Sequence, residues 1–287
     1  ATNASTGSLA IVNSSSYTNI TKDKQTIYVR VVNKVSHCIN PHIKFDIIIH
    51  PLPSIPNIIP NLKICDVATS SDPDPRNRIV QNIVLGSRDS DALNGKDPNE
   101  YKVSYYKTEQ DAIANTNLLS KTNYSNTAAI TNFPANLNSD DPATSKVFVV
   151  VSSKITGCRS IVSTLHLLLY PEPNLPQKIN DYISCDNTSD DKNDDSNGIN
   201  GDISLKTKIP EILANYANST HNNYKVSFHK SLNDAQTESN SIDNNSYQNI
   251  SNHQEIFVRV LNKQTRCVNY KLSFKIIINP LPSFTVK

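Results

Sequence analysis

One strand-like stretch that ends in a cysteine occurs three times in this chain. It reads IYVRVVNKVSHC at residues 27–38, VFVVVSSKITGC at 147–158 and IFVRVLNKQTRC at 256–267. The period of about 110 to 120 residues is too long for a solenoid, whose units of roughly 20 to 50 residues hold no core of their own. A unit of this size buries enough surface to fold independently. The chain is therefore expected to be a row of domains.

Other motifs recur with the same period. A Cys-Asp pair occurs at residues 65–66 and 185–186, and YKVSYYKTEQDA at 101–112 returns as YKVSFHKSLNDA at 224–235. Each unit closes on aliphatic residues followed by a P-x-P motif. The closing motifs are FDIIIHPLP at 45–53, LHLLLYPEP at 165–173 and FKIIINPLP at 274–282.

These motifs divide the chain into three repeats. Residues 62–173 and 182–287 are complete copies, the second and third repeats, and residues 1–53 match only the C-terminal part of one, the first repeat. Residues 54–61 and 174–181 are the first and second linkers. Prolines occur at 51, 53, 56 and 60 around the first and at 171, 173 and 176 around the second, a spacing that favours extended, polyproline-like segments that hold the domains apart. We expect the missing half of the first repeat to lie outside these residues, and residues 280–287 to lead into a further repeat.

Hydrophobicity alternates with period 2 inside each repeat. Ile27, Val29 and Val31 fall on one face of a strand, whereas Tyr28 and Arg30 fall on the other. Further strands are predicted at 79–85, 101–106 and 118–124, and capped single helical turns at 108–111 and 231–234. About seven short strands per repeat is the pattern of an immunoglobulin-like sandwich. The predicted fold is all-β, with tandem immunoglobulin-like β-sandwich domains joined by Pro-rich linkers; a Greek-key barrel is the alternative.

Composition and motifs argue against several classes of function. The formal charge is +2 with both signs scattered, which gives no reason to expect nucleic acid as a partner. No apolar run of about 18 residues and no charged leader is present, so membrane insertion is not expected. The sequence has no GxSxG motif, and its seven histidines are predicted to lie at the surface without partners at triad or metal-ligand spacing. We expect no catalytic residues and no enzyme activity.

The five cysteines lie at 38, 65, 158, 185 and 267 with no CxxC pair, which favours disulfides over zinc. We expect Cys65 to pair with Cys158 and Cys185 with Cys267, each within its own repeat. The reason is that the first strand of an immunoglobulin-like sandwich starts at the same end as the turn between its last two strands. Cys38 is expected to pair with a cysteine outside these residues.

An acidic loop follows the second Cys-Asp pair. Asp191, Asn193, Asp195 and Asn197 alternate and precede Gly198, a spacing of oxygen ligands that could wrap a calcium ion. The alternative is a solvated acidic loop, because no distant glutamate stands where an EF-hand would need one. The second repeat has the sparser set of Asp66, Asp72 and Asp74 at the same place.

Exposed aromatic residues offer a second kind of site. Tyr28, Tyr170 and Phe257 could stack on sugars, although aromatic residues on the exposed face of a strand more often cover a neighbouring hairpin or linker.

The Cys-Asp pair with its acidic loop, the YKVSYYKTEQDA motif, the strand that ends in cysteine and the closing P-x-P together resemble a known group. They are similar to the tandem repeats of giant surface adhesins from Bacteroidetes, namely the SprB-like adhesins of flavobacterial gliding and repeat proteins exported by the type IX secretion system. The resemblance covers nearly the whole chain. It implies extracellular immunoglobulin-like modules that build a long stalk on the outer surface.

From this resemblance we expect a non-enzymatic segment of a cell-surface adhesin or surface filament that serves attachment and gliding motility. Its location would be extracellular, associated with the outer membrane. Its partners would be a surface polysaccharide or other substratum, neighbouring repeats, and the gliding or secretion machinery. The alternatives are spacer domains of a larger secreted hydrolase and an array of carbohydrate-binding modules.

Overall fold

A computed structural model describes residues 2–70, 72–126, 139–187 and 196–282. The strands form one two-stranded sheet and two four-stranded sheets, one for each repeat. Within these described ranges, no helix is long and apolar enough to cross a membrane.

The first repeat is a hairpin preceded by a short helix. Helix α1 spans Thr2–Thr6, and strands β1 (Lys24–Val32) and β2 (Ile39–Ile48) pair antiparallel. Phe45 is 53 % exposed here, whereas its equivalent in the third repeat, Phe274, is 3 % exposed. The hairpin therefore exposes to solvent the apolar face that is buried in a complete repeat.

The second repeat has one four-stranded sheet. Its strands are β3 (Leu62–Asp66), β4 (Tyr101–Tyr106), β5 (Ala143–Ser153) and β6 (Ser163–Pro171), in the order β3-β6-β5-β4. Strand β3 is parallel to β6, and the other pairs are antiparallel. A 3-10 turn at Leu85–Arg88 runs into α2 (Asp89–Leu93), and α3 (Glu109–Ala114) follows β4.

The third repeat has the same topology. Its strands are β7 (Tyr182–Cys185), β8 (Tyr224–His229), β9 (Gln254–Asn262) and β10 (Val268–Asn279), in the order β7-β10-β9-β8, with β7 parallel to β10. Its helical elements are 3-10 turns at Leu205–Lys208 and Asn218–Asn223 and helices α4 (Ile209–Ile212) and α5 (Leu232–Thr237).

The predicted all-β, immunoglobulin-like fold is confirmed. A central strand and the last two strands form one layer, as in the C-F-G sheet of that fold, and the first strand is added in parallel to the last. The other layer contains the bridge between Ile83 and Tyr124 and the segment that includes α2, whose Leu93 lies in the same core. Helix α3 lies on the outer face of the sheet, where Ala112 packs against Tyr106 and Val150. The predicted strands at 79–85 and 118–124 contribute only isolated bridges. In the first of them Asn82, with a φ of 57°, interrupts the extended backbone.

The helical turns after the central strands form as predicted. Thr108 Oγ1 accepts a hydrogen bond from the Asp111 N–H and caps α3, and Ser231 Oγ does the same for Asp234 and α5. Such caps satisfy backbone donors that the first helical turn would otherwise leave unpaired.

The linkers are anchored in the repeat that follows them. Ile55 and Ile59 of the first linker belong to the core of the second repeat, and Ile179 of the second linker belongs to the core of the third. Burying each such side chain stabilises a repeat by about 1.5–3 kcal/mol. The linkers therefore pack as parts of the domains and are not free spacers.

The Cys-Asp pair of the second repeat and Asn126, two residues after Tyr124, close the acidic loop. Asp66 Oδ2 accepts from the Arg78 N–H at 2.8 Å, and Asn126 Nδ2 donates to the Arg78 carbonyl at 2.8 Å. Arg78 lies in the left-handed region with a φ of 58°. The two side chains thus fix the residue at which the loop turns back into the domain.

The third repeat makes the same closure with glycine at the turning point. Gly198 N–H donates to Asp186 Oδ2 at 2.6 Å, and Asn249 Nδ2 donates to the Gly198 carbonyl at 2.8 Å. The φ of Gly198 is 76°, a conformation that glycine adopts without strain. The repeated Asp and Asn residues are therefore explained by loop architecture.

Candidate functional site at the joint between repeats

A disulfide connects the second repeat to the third. Cys65 in β3 is bonded to Cys267, which directly precedes β10, and their Cα atoms are 5.5 Å apart. The predicted pairs Cys65–Cys158 and Cys185–Cys267 are therefore wrong. The bond joins neighbouring domains and closes a sequence separation of 202 residues. In the chain-entropy model, closing a loop of this length stabilises the folded state by about 5 kcal/mol.

The parallel pairing of β3 explains the error. Cys65 lies opposite Tyr170, near the end of β6, whereas Cys158 precedes the start of that strand. At ~3.3 Å per residue, β6 separates the two cysteines of one repeat by about 25 Å, well beyond the reach of a disulfide. Cys65 therefore lies at the end of the second repeat that faces the third.

Cys267 lies next to the start of β10, at the end of the third repeat that faces the second. Strand β7 pairs only with the C-terminal part of β10, from Ile276 to Asn279. The start of β10 is contacted instead by the end of the second repeat, since Asn269 Nδ2 donates to the Pro173 carbonyl at 3.0 Å. Directly before β7, the Lys275 N–H of β10 donates to Asp181 Oδ1 at 2.8 Å, so that β7 has only four residues.

The other three cysteines, Cys38, Cys158 and Cys185, carry no bond in the part of the chain that the structure describes. Cys158 and Cys38 occupy the position of Cys267 in their repeats, and Cys185 occupies the position of Cys65.

An ion pair lies beside the disulfide. Glu172, 4 % exposed at the end of the second repeat, accepts from Lys271 Nζ of β10 at 2.8 and 2.9 Å. Lys271 Nζ also donates to the Ala68 carbonyl at 3.3 Å, and the Glu172 N–H donates to the Asp66 carbonyl at 3.1 Å. Burial raises the pKa of Glu172, and the hydrogen bond from Lys271 opposes that rise.

Asp140 of the second repeat forms the other contact across the joint. Its carboxylate accepts from Tyr216 Oη at 3.1 Å, from Asn262 Nδ2 at 2.8 Å and from Tyr224 Oη. The two tyrosine rings lie against each other with centroids 4.4 Å apart. Burial, with the charge of Asp140 added, raises the pKa of Tyr216 to about 12. Asp140 is thus held by three donors of the third repeat.

The predicted calcium ligands fall mostly outside the described residues. This applies to Asp191, Asn193 and Asp195, whereas Asn197 is described and its Oδ1 accepts from the Ile199 N–H at 2.7 Å. No group of three or more His, Cys, Asp or Glu residues that could hold a metal is found among the described residues. Calcium binding by this loop therefore stays a prediction.

In the second repeat, the equivalent acidic residues shape their own loop. Asp72 Oδ1 accepts from Asn77 Nδ2 at 2.8 Å, and Asp74 Oδ1 accepts from the Arg76 N–H at 2.9 Å.

The remaining sequence candidates do not form a common site. Tyr28, Tyr170 and Phe257 lie in different repeats, on β1, β6 and β9. His229, expected at the surface, is fully buried in β8, and its ring nitrogens contact Ser227 Oγ and the Ser239 carbonyl at 3.0 and 2.8 Å. The buried ring links β8 to the segment after α5.

Sequence reasoning missed the polar residues of the joint, although one signal was available. Glu172 is the charged residue in a closing P-x-P motif whose equivalents are Leu52 and Leu281. Lys271 likewise replaces His42 and Val162 of the other repeats. The equivalent positions in the other repeats do not carry this pair of opposite charges. An acidic and a basic residue at these two positions therefore indicate a contact specific to the joint between the second and third repeats.

The fold and the joint define a protein built from tandem immunoglobulin-like repeats in which neighbouring repeats are connected by a disulfide. Residues 1–53, 61–173 and 181–282 each match the family described as the Flavobacterium inter-domain disulphide bond domain, and the chain belongs to that family. The family description agrees with the bond between Cys65 and Cys267.

Comparison with solved structures finds a likeness to the cadherin-like domains 1 to 4 of zebrafish RET. The identity is 12 % and the TM-score 0.15, over 64 % of this chain and 42 % of the RET chain. The fold assignment accordingly rests on the strands of this chain. No curated protein matches the sequence.

Proposed function

We propose that this chain is a non-enzymatic segment of a large bacterial cell-surface adhesin or surface filament, and that its repeats form an extended stalk used in attachment and gliding. The inter-repeat disulfide between Cys65 and Cys267 is the observation that supports this proposal most directly. Disulfides of this kind persist in oxidising compartments and are rare in the bacterial cytosol. The proposed location is therefore outside the cell, on the outer membrane.

The equivalence of the repeats extends this proposal to the other cysteines. Cys158 stands where Cys267 stands and Cys185 where Cys65 stands, so each is suited to bond a neighbouring repeat in the same way. A continuous series of such bonds would connect each small domain covalently to the next, in addition to the main chain, and would form a stiff rod. The tip of such a rod would contact a polysaccharide or other substratum, and its base the gliding or secretion machinery.

Surface exposure tests the location. Intact cells of the bacterium that encodes this chain are treated with a protease or a membrane-impermeant biotin reagent, and the repeats are followed with an antibody. Cleavage or labelling of the repeats, with a cytosolic protein untouched, is expected. Repeats that are protected until the cells are lysed would contradict the proposal.

A deletion tests the role. Removing the encoding gene should reduce attachment and spreading on agar, and restoring it should recover both. Normal attachment with loss of a secreted hydrolase activity would favour spacer domains instead. Binding of the purified chain on a glycan array would favour carbohydrate-binding modules.

A further inference from the structure

The disulfide changes the covalent route by which tension passes through the chain. Cys65 is the fourth residue of β3, and Cys267 directly precedes β10. A pull applied before β3 and after β10 therefore passes along Leu62 to Cys65, through the disulfide, and along β10 to Asn279. The main chain between the two cysteines forms a closed loop beside this route.

We infer that the Cys65–Cys267 bond is a mechanical bypass, which carries tensile load past the folded bodies of the second and third repeats. The loop outside the load path contains β4, β5, β6, β7, β8 and β9, the second linker and the helical turns that follow β3. The core residues within this loop therefore stay assembled under tension, whereas those of the first linker, β3 and β10 lie in the load path.

The elements that remain in the load path are already extended. Strands β3 and β10 comprise 5 and 12 residues. A strand rises about 3.3 Å per residue, close to the limit of 3.3–3.6 Å for a fully stretched chain. Because these strands are already close to their fully stretched length, tension along this route lengthens it very little.

Without the bond, the same pull would act on noncovalent contacts. The load would enter β3, which is held to β6 by a parallel ladder, and would pass through the whole of both repeats. Complete unfolding would release the separation of 202 residues, about 70 nm of chain. The bond therefore decides whether the joint behaves as a short tether or as two domains that unfold in series.

The disulfide also keeps tension off the loops that lie between the two cysteines. The acidic loop closed by Asp66 and Arg78, and the contacts of Asp140 with Tyr216 and Tyr224, all lie in the unloaded part. A ligand or partner bound there would be held with the same geometry at low and at high tension. This inference depends on the bond and on the strand order, and not on where the protein is located.

The test uses the full chain with Cys38, Cys158 and Cys185 replaced by serine, so that Cys65 and Cys267 are the remaining thiols. Mass spectrometry first establishes that they are bonded. Single molecules are then held at their two ends in optical tweezers and stretched, first in oxidising buffer and then after addition of a reductant.

In oxidising buffer, the second and third repeats are expected to release only a few nanometres. After reduction, unfolding steps with a total of about 70 nm are expected from the same molecules. A variant that also carries Cys65→Ser and Cys267→Ser should show the reduced behaviour without reductant, and a circular dichroism spectrum reports whether it folds. The comparison before and after reduction does not depend on that variant.

Oxidised molecules that release clearly more than the roughly 25 nm that residues 1–61 and 280–287 can supply would overturn the inference, as would failure of the bond to form. Either result would leave the cell-surface assays above unaffected. Conversely, a chain found inside the cell would contradict the proposed function but would not alter the extension measured in the tweezers.

Discussion

The carboxylate of Glu172 in the second repeat is held by Lys271 of the third, with both oxygens within 2.9 Å of the ammonium nitrogen. Glu172 is buried at the joint, whereas the lysine side chain is 41 % exposed. The pair lies close to the disulfide, because the Glu172 N–H donates to the Asp66 carbonyl next to Cys65. The noncovalent contacts of the joint thus position the two cysteines that form the bond.

Removing Lys271 should weaken the joint. In Lys271→Ala, Glu172 becomes a buried carboxylate without its counter-charge, a change that costs about 1–3 kcal/mol for a partly exposed pair. We expect the equilibrium constant for forming the Cys65–Cys267 bond to fall about 10- to 100-fold in a glutathione titration.

The double variant Glu172→Leu with Lys271→Val is the matched control, because both residues occur at the same positions in other repeats. It should recover most of the loss, since no unpaired charge stays buried. Equal titration midpoints for Lys271→Ala and the natural chain would show that the ion pair does not support the joint.

Asp140 should raise the pKa of a specific tyrosine across the joint. The pKa of Tyr216 is about 12 because the ring is buried and Asp140 lies beside it. In Asp140→Asn the charge is removed, and we expect Tyr216 to titrate at lower pH in a spectrophotometric titration at alkaline pH. Asp141→Asn, an exposed neighbour, should leave the titration unchanged. An Asp140→Asn curve identical to that of the natural chain would contradict the contact.

The sequence predicted those parts of the fold that depend on local pattern. Period-2 alternation located β1 and β9, the repeated motif located β5, and the caps at Thr108 and Ser231 follow from residues that lie three positions apart. The disulfide partners could not be obtained in this way. They depend on the direction in which β3 pairs with β6 and on the length of β6, which alternation does not encode.

The polar contacts across the joint could not be predicted from the sequence for a related reason. Asp140 and Tyr216 lie 76 residues apart in the sequence and belong to different domains. Within one repeat, each reads as an ordinary surface residue, since its partner is supplied by the neighbouring repeat. Comparing equivalent positions among the repeats, as for Glu172 and Lys271, is the signal that a single sequence does contain.

The buried Asp66 should make stability depend on pH. Its pKa is raised to about 7 by burial and by the nearby charges of Asp72 and Asp74, against the hydrogen bond from the Arg78 N–H. The folded state therefore holds a proton that the unfolded chain releases near pH 4. The contribution to stability is full below that pH and is lost as the pH rises to about 7, with a size of up to about 4 kcal/mol.

Melting temperatures measured from pH 4 to pH 8 test this dependence. Asp66→Asn keeps an oxygen that can accept from the Arg78 N–H but cannot ionise, so its melting temperature should fall less across this range than that of the natural chain. Glu109→Gln, at an exposed position of α3, serves as the control and should follow the natural chain. Parallel curves for Asp66→Asn and the natural chain would refute the assignment.

The first linker offers the sharpest test of how the repeats are joined, because two consecutive isoleucines have opposite surroundings. Ile59 is 1 % exposed and belongs to the core of the second repeat, whereas Ile58 is 82 % exposed. Ile59→Ala removes buried methyl groups and leaves a cavity, which should lower the free energy of unfolding of that repeat by about 2–5 kcal/mol. Ile58→Ala should change it by less than about 0.5 kcal/mol. Denaturant titration of the two variants measures the difference, and equal, small effects would mean that the linker is a free spacer after all.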